Sequence, residues 1–163
     1  MHRPGHYGVA LALYAPLGGT LVAYDQPTLA LAGGVGVLAV TNIPDVDGKT
    51  DRFQHRGPTH SLVFALFVGL LTAMVAGLLA FELGPVAVLG VAMVGFLVGV
   101  LGIVAHLVAD VLNPMGVRPL WPFSSRRFTL DMVLASNRAA NYVLLAVGVV
   151  ASVLGWFLGS ALR

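Results

Sequence analysis

The sequence predicts an all-α fold, a polytopic membrane helical bundle with about five transmembrane helices. Of its 163 residues, 58% are hydrophobic and only 10% are charged, and the mean hydropathy is +0.89. Because a globular domain keeps about a quarter of its residues charged, this chain has more apolar surface than one soluble core can bury. We expect residues 1–163 to form a single integral membrane domain. Five stretches carry no formal charge and have spanning or near-spanning length: Tyr7 to Tyr24, Gln26 to Pro44, Ser61 to Phe81, Leu83 to Ala105 and Ala139 to Leu162.

The predicted spans differ in length and in glycine content. The last three reach the roughly 20 residues needed to cross the hydrocarbon core. The first two are shorter and include Gly18-Gly19 and Gly33-Gly34, which favours helices that are tilted, broken or packed inside the bundle. The first does not resemble a secretory signal peptide, since it contains Pro16 and another hydrophobic segment follows it. Gly95 and Gly99 have the spacing that is typical of close helix packing in membranes.

Polar residues and prolines mark the ends of the spans. Gly57-Pro58 precede a predicted helix start at which Thr59 would cap free amide groups. Asn113-Pro114 ends the fourth predicted helix. The stretch from there to the fifth span is too polar to cross a membrane, and it holds Trp121 and Phe123 among several arginines. This composition predicts an interfacial segment between helices 4 and 5.

Basic residues collect on one predicted side of the membrane, which holds the N-terminus and both long loops. The positive-inside rule places that face in the cytoplasm of a multi-pass cell-membrane protein. Cations this dispersed do not form a nucleic-acid surface, so we expect no direct binding of nucleic acid. The absence of cysteine excludes disulfides and cysteine ligands. The side holds Arg3, Lys49, Arg52, Arg56, Arg118, Arg126, Arg127 and Arg138, which leaves Arg163 for the other face.

Residue types that bind metals lie at the ends of the spans, on that same predicted face. His106 and Asp110 are four residues apart, so on a helix they share one face and can bind one cation. For each group alone a structural explanation stays open: a hydrogen-bonded His–Asp pair, a solvated turn beside Lys49, or a histidine that caps a helix. The groups are His2, His6, Asp45, Asp47, His55, His60, His106 and Asp110.

Four separate segments that each carry such groups at one depth favour a metal site. Histidine and carboxylate ligands favour Zn²⁺, with Mn²⁺ or Fe²⁺ as alternatives. This many ligands exceed the needs of one tetrahedral ion that keeps a water, so we predict one or two ions, with Asp45 or Asp110 as a bridge. His2 is expected to be a bystander, and Asp51 fits a solvated turn. The predicted metal ligands are His6, Asp45, Asp47, His55, His60, His106 and Asp110.

The motifs resemble a known family, the YdjM-type membrane-bound metal-dependent hydrolases, also described as LexA-binding inner-membrane-associated hydrolases. Many relatives carry a histidine directly after the Asp-x-Asp pair, where this chain has Gly48. The family is distantly similar to zinc-dependent phospholipase C and to single-strand nucleases, which implies cleavage of phosphodiesters. The resemblance covers most of the chain through Gly5-His6, Ile43-Pro-Asp45-Val-Asp47, His55-Arg-Gly-Pro-Thr-His60-Ser61, His106-Leu-Val-Ala-Asp110 and Asn113-Pro-Met-Gly116 running to Leu120-Trp-Pro122.

These observations give the hypothesis of a membrane-embedded metal-dependent hydrolase, with a phospholipase C-like phosphodiesterase as its leading subclass. A metal-activated water would attack a phosphodiester or other ester bond. The predicted catalytic residues are Asp47, which manages the proton, Asp110, and Arg56, which pairs with a substrate phosphate or a carboxylate. Topology signalling or lipid anchoring is the alternative explanation for each arginine. The predicted substrate-binding residues are Arg56, Arg126, Arg127 and Arg138.

A site at head-group depth suggests an amphiphilic substrate, such as a phospholipid or a prenyl-phosphate compound among the surrounding membrane lipids. The alternative is a non-catalytic, metal-stabilised membrane protein whose interfacial segment binds a cytoplasmic partner, as the LexA-binding description would imply. A metal transporter fits less well, because transporters place polar groups near the bilayer midplane and the middles of these spans are apolar. The sequence does not indicate an oligomeric state.

Overall fold

Five helices make up most of the described chain. The computed structural model describes residues 1–45 and 57–163, and within those ranges it contains no strand, only an isolated antiparallel bridge between Val117 and Phe128. The predicted all-α class is therefore confirmed. The helices are α1 (Arg3–Ala23), α2 (Pro27–Val40), α3 (Leu62–Leu79), α4 (Pro85–Val111) and α5 (Arg138–Ala161), with short 3₁₀ turns at Pro58–His60 and Phe81–Leu83.

Three of the five helices are long and apolar enough to cross a membrane, namely α3, α4 and α5. They match the three longer predicted spans. Helix α1 has 21 residues but is less apolar, and α2 has 14 residues, fewer than the roughly 20 that a span needs. A membrane protein with three candidate spans and two further helices is thus the architecture that length and composition support.

Local hydrogen bonds fix where two of the long helices begin. The Ser61 hydroxyl accepts a hydrogen bond from the Phe64 amide at 3.1 Å and caps α3. The prediction that Thr59 would cap this helix is therefore wrong, because the intervening residues form a separate 3₁₀ turn. The Asn137 side chain caps α5 by accepting from the Ala140 amide at 3.1 Å. Both caps satisfy amide groups that a helix start leaves without partners.

Helices α1 and α5 pack backbone to backbone along most of their length. A Cβ atom at Gly148 would overlap the Gly8 carbonyl oxygen, and one at Gly159 would overlap the Gly19 carbonyl oxygen. Glycine at these points lets two helices approach more closely than any side chain allows. The α1–α5 pair is therefore a close backbone contact in the described bundle, which the sequence did not predict.

Helix α4 forms the other half of the bundle, with α3 on one side and α2 on another. A Cβ atom at Gly99 would overlap the Thr72 hydroxyl and lie too close to Gly69, while one at Gly95 would crowd Ala76. The predicted packing role of Gly95 and Gly99 is thus confirmed. Helix α2 also packs against α1, where the Tyr14 hydroxyl donates to the Ala30 carbonyl at 2.6 Å.

The helices alternate in direction, so their ends gather at two faces. Short connections join α1 to α2 and α3 to α4 at one face, where Arg163 forms an ion pair with Asp25. At the opposite face lie the start of α1, the end of α4 and the start of α5. There the Asn141 side chain of α5 accepts a hydrogen bond from the His2 amide at 3.1 Å.

We expect Gly148→Ala to lower the stability of the bundle, since its new methyl group must force α5 away from the Gly8 backbone. Overpacking of this kind typically costs about 1–3 kcal/mol. Gly90→Ala is the matched control, because a Cβ atom there meets nothing within 4 Å and alanine favours a helix by up to ~1 kcal/mol. Thermal unfolding in detergent, followed by circular dichroism, should show a lower midpoint for the first variant alone. Equal midpoints would contradict the close α1–α5 contact.

Candidate metal centre

Five of the predicted metal ligands lie together at one end of the bundle. They come from two helix ends and two connecting segments, so residues far apart in the sequence meet at one depth. The four that lie deepest are almost completely shielded, with relative exposures of 0 to 2%. The five are His6 on α1, Asp45 after α2, His60 before α3, and His106 and Asp110 on α4.

His106 is held in one orientation by the main chain. Its Nδ1 lies 2.8 Å from the Thr41 carbonyl oxygen, which only accepts hydrogen bonds, so Nδ1 must carry the proton. The Thr41 hydroxyl in turn donates to the Gly102 carbonyl at 2.9 Å and fastens the end of α2 to α4. The neutral ring therefore presents an unprotonated Nε2, the atom that a metal would bind.

Asp110 lies at the centre of the cluster. Its Oδ1 lies 3.7 Å from His6 Nε2, while its Oδ2 lies 3.8 Å from His60 Nε2 and 3.7 Å from His106 Nε2. The Met1 ammonium donates to Oδ1 at 2.9 Å. A carboxylate this deeply buried needs compensation by positive charge, and the surrounding groups provide or can hold that charge.

The other two histidines pack directly against His106. His60 Nε2 lies 3.2 Å from His106 Nε2, and the His6 ring stacks on the His106 ring with centroids 4.1 Å apart and planes 4° apart. Within the described part of the chain, His6 Nδ1 is buried and has no hydrogen-bond partner. Buried polar atoms in proteins are nearly always satisfied, so this ring nitrogen is available to a ligand that the described residues do not supply.

Two of the spacings between donor atoms fit a small metal ion better than they fit hydrogen bonds. Nitrogen or oxygen ligands at ~2.0–2.2 Å from a tetrahedral ion are roughly 3.3–3.6 Å apart. His106 Nε2 lies 3.6 Å from Asp45 Oδ1 and 3.7 Å from Asp110 Oδ2, beyond the usual hydrogen-bond range. The donor set of imidazole and carboxylate suits Zn²⁺.

The donor atoms fall into two overlapping sets whose members lie within 4.8 Å of one another. Because the Nδ1 of His106 binds a carbonyl, its Nε2 can serve only one ion. Asp110 has one oxygen near His6 and the other near His60, which makes it the better candidate for a bridging carboxylate. The sets are His6 with Asp45 and His106, and His60 with His106 and Asp110.

Asp45 differs from the other four because 41% of its side chain is exposed. Asp45 is therefore the member of the described cluster that solvent reaches.

The arginines and the segment between α4 and α5 lie outside the cluster. Arg126 and Arg127 are exposed, the first over the Phe128 ring at 5.3 Å and the second bonded to the Met115 carbonyl. Arg138 is exposed at the start of α5. No described contact joins these three to the cluster, so their role in binding a substrate stays a prediction.

Three polar residues that support the cluster were not predicted as site residues from the sequence. Asn113 lies buried with its amide 3.5 Å from Asp110 Oδ1. Asn141 donates to the Ala135 and Asn137 carbonyls and anchors the start of α1. Thr41 orients His106. Asn113 and Asn141 were visible as scarce polar residues at span ends, but only the fold shows that each is buried.

Some predicted site residues lie between residues 46 and 56, outside the described ranges. They are Asp47, His55 and Arg56, together with the departure from the family pattern at Gly48. Their predicted roles stay predictions. His2 is exposed at the chain start and belongs to neither set of donors.

The fold and this cluster define an all-helical integral membrane protein with histidine and aspartate side chains buried at one end of its bundle. The chain belongs to the YdjM inner membrane protein family, whose family model matches residues 1–162. The resemblance drawn from the motifs is thus confirmed. Neither the curated proteins nor the solved structures give a significant match.

We expect His106→Ala and His60→Ala each to weaken Zn²⁺ binding at least about tenfold, since even the partners of metal ligands typically contribute that much. His2→Ala is the matched control, because His2 is exposed and outside both donor sets. Competition with a chromophoric chelator measures the affinity, and circular dichroism checks that each variant keeps its helices. Wild-type affinity in the two folded cluster variants would rule out this centre.

Proposed function

We propose that this protein is a membrane-embedded metal-dependent hydrolase that cleaves a phosphodiester or other ester bond of a lipid-like substrate at the membrane interface. The observation that carries the proposal is the buried convergence of His6, Asp45, His60, His106 and Asp110 at ligand spacing. Polar groups this expensive to bury in an apolar helical bundle are kept for a function.

Each residue of the cluster would have a separate role in such a site. A divalent ion, most suitably Zn²⁺, supplies a bound water of lowered pKa and polarises the phosphoryl or acyl oxygen. The two carboxylate oxygens of Asp110 lie within 3.8 Å of all three histidines, so Asp110 would share a bound ion with them, and Thr41 fixes the tautomer of His106. Asp45, half open to solvent, is placed to accept a proton and pass it to water.

The location of the cluster supports a substrate with both a polar and an apolar part. The cluster lies where apolar helices end, and the neighbouring segment from Leu112 to Asn137 exposes Trp121, Phe123 and several arginines. This mixture is typical of the head-group layer. The excess of arginine at this end supports a cytoplasmic location for the cluster and the N-terminus.

A non-catalytic protein that uses metal to stabilise a docking surface is the second candidate. The exposed apolar side chains of the same segment favour it, since Phe123 is 88% and Met132 69% exposed. Asn113 lies in this segment with its side-chain amide near Asp110, so loss of a metal at Asp110 would directly change the position of the exposed segment. In that case metal removal should abolish folding or partner binding.

We expect purified protein in lipid nanodiscs to hydrolyse bis(4-nitrophenyl) phosphate or a phospholipid in a Zn²⁺-dependent manner, and Asp110→Asn to lower the rate at least about a hundredfold. Removing a single electrostatic contribution from an active site typically costs this much. Asp25→Asn is the matched control, because the same carboxyl is lost at the opposite face. Release of nitrophenolate or of a lipid head group measures the rate.

Three results would decide against a hydrolase that acts at this cluster. A folded, zinc-loaded protein without turnover on either substrate would favour the docking protein. Equal rates in Asp110→Asn and Asp25→Asn would show that hydrolysis does not come from this cluster. A chelator that unfolds the protein instead of stopping turnover would point to a structural ion.

A further inference from the structure

We propose that the groove between α2 and α3 binds the hydrocarbon chain of an anionic amphiphile whose polar head lies at the metal cluster. This rests on the proposed function and specifies its substrate class. The groove has a volume of about 570 Å³, and its floor is α4. Helices α2 and α3 both pack on α4 but make little direct contact with each other, which leaves this channel open along the side of the bundle.

One end of the groove adjoins the cluster through three residues at the end of α2 and the start of α3. Ile43 lies two residues before Asp45, and Val40 immediately precedes Thr41, whose carbonyl holds His106. Phe64 accompanies them on α3, where its amide is bonded to Ser61 beside His60. A chain that lies in the groove therefore ends where the metal ligands begin.

The groove continues from that end to Leu29 on α2 and Leu79 on α3, at the opposite face. Phe64 and Leu79 are fifteen residues apart, which at 1.5 Å per helical residue is roughly 22 Å. One leaflet of a hydrocarbon core about 30 Å thick is shorter than this. The groove thus suits one long, extended hydrocarbon chain that reaches past the bilayer midplane.

The chemistry of the lining agrees with a hydrocarbon occupant. Among the described residues that line the groove, Thr72 is the only one with a polar side chain, and its hydroxyl donates to carbonyls of its own helix. Small residues such as Ala32 and Gly36 form the α2 wall and keep the channel clear. Phe67 and Val75 are about half exposed along its edge, so a lipid can enter sideways from the bilayer.

Photolabelling tests the groove without depending on turnover. The probe is hexadecyl phosphate with a diazirine at mid-chain, bound to the full chain in nanodiscs with Zn²⁺ and mapped by peptide mass spectrometry. We expect label on groove residues of α2 and α3, lowered at least about tenfold in Ala32→Trp and in Val75→Trp, which fill the groove from opposite walls. Val35→Trp, which lies on α2 outside the lining and is 70% exposed, should keep wild-type labelling.

Competition tests the head group. Unlabelled hexadecyl phosphate should displace the probe from wild type at least about tenfold better than hexadecanol, because only the phosphate can bind at the cluster. Label spread evenly over other lipid-facing residues such as Leu89 and Val147, and unchanged by either filling variant, would overturn the proposal. Equal competition by the two compounds would overturn the placement of the head.

The two proposals fail in different ways. If Ala32→Trp and Val75→Trp abolish groove labelling but no hydrolysis occurs, the groove proposal is supported and the hydrolase proposal is rejected. If Zn²⁺-dependent cleavage of bis(4-nitrophenyl) phosphate occurs but the label is spread evenly over the lipid-facing residues, the hydrolase proposal is supported and the groove proposal is rejected. Zinc affinity in Ala32→Trp, measured as for the cluster variants, should equal that of wild type and shows that the filled bundle still folds.

Discussion

The burial of the Asp110 carboxylate is the constraint on which the other features of this end of the bundle depend. A charged group taken out of water costs several kcal/mol unless other groups compensate for it. Three histidines from three segments and the Met1 ammonium surround this carboxylate within 3.8 Å. Every element that brings a partner to Asp110 must therefore end at the same depth, which fixes the register of α1, α3 and α4 relative to one another.

The tight packing of α1 against α5 helps to keep α1 at the position along the bundle that this register requires. His6 lies near the start of α1, and further along this helix the Tyr14 hydroxyl bonds to α2 and the Leu11 carbonyl accepts from Ser152 of α5. The backbones of α1 and α5 lie so close at Gly8 and Gly148 that neither position has room for a Cβ atom. The Asn141 side chain also accepts a hydrogen bond from the His2 amide, just before α1. Because lipid tails compete for apolar side chains, close backbone contact and buried polar bonds stabilise helix pairs better than hydrophobicity does in a membrane.

Much of this organisation could be predicted from the sequence, and there are physical reasons why the rest could not. Runs without charge reveal α3, α4 and α5, and a His-x-x-x-Asp pair on a helix shares a face in any fold. The support from Thr41 could not be predicted, because a main-chain carbonyl leaves no trace in residue type. The α3 cap was misplaced at Thr59, since whether a 3₁₀ turn or the helix itself begins there depends on packing below it.

Ligand number separates the two kinds of zinc site that this cluster could hold. Structural zinc ions use four protein ligands, whereas catalytic ions keep one position open for water. His106 has a single nitrogen left, so it can complete only one of the two described sets, either with His60 and Asp110 or with His6 and Asp45. Among the described residues each set supplies three ligands, the number that a catalytic zinc ion uses, and the partly exposed Asp45 leaves room for water.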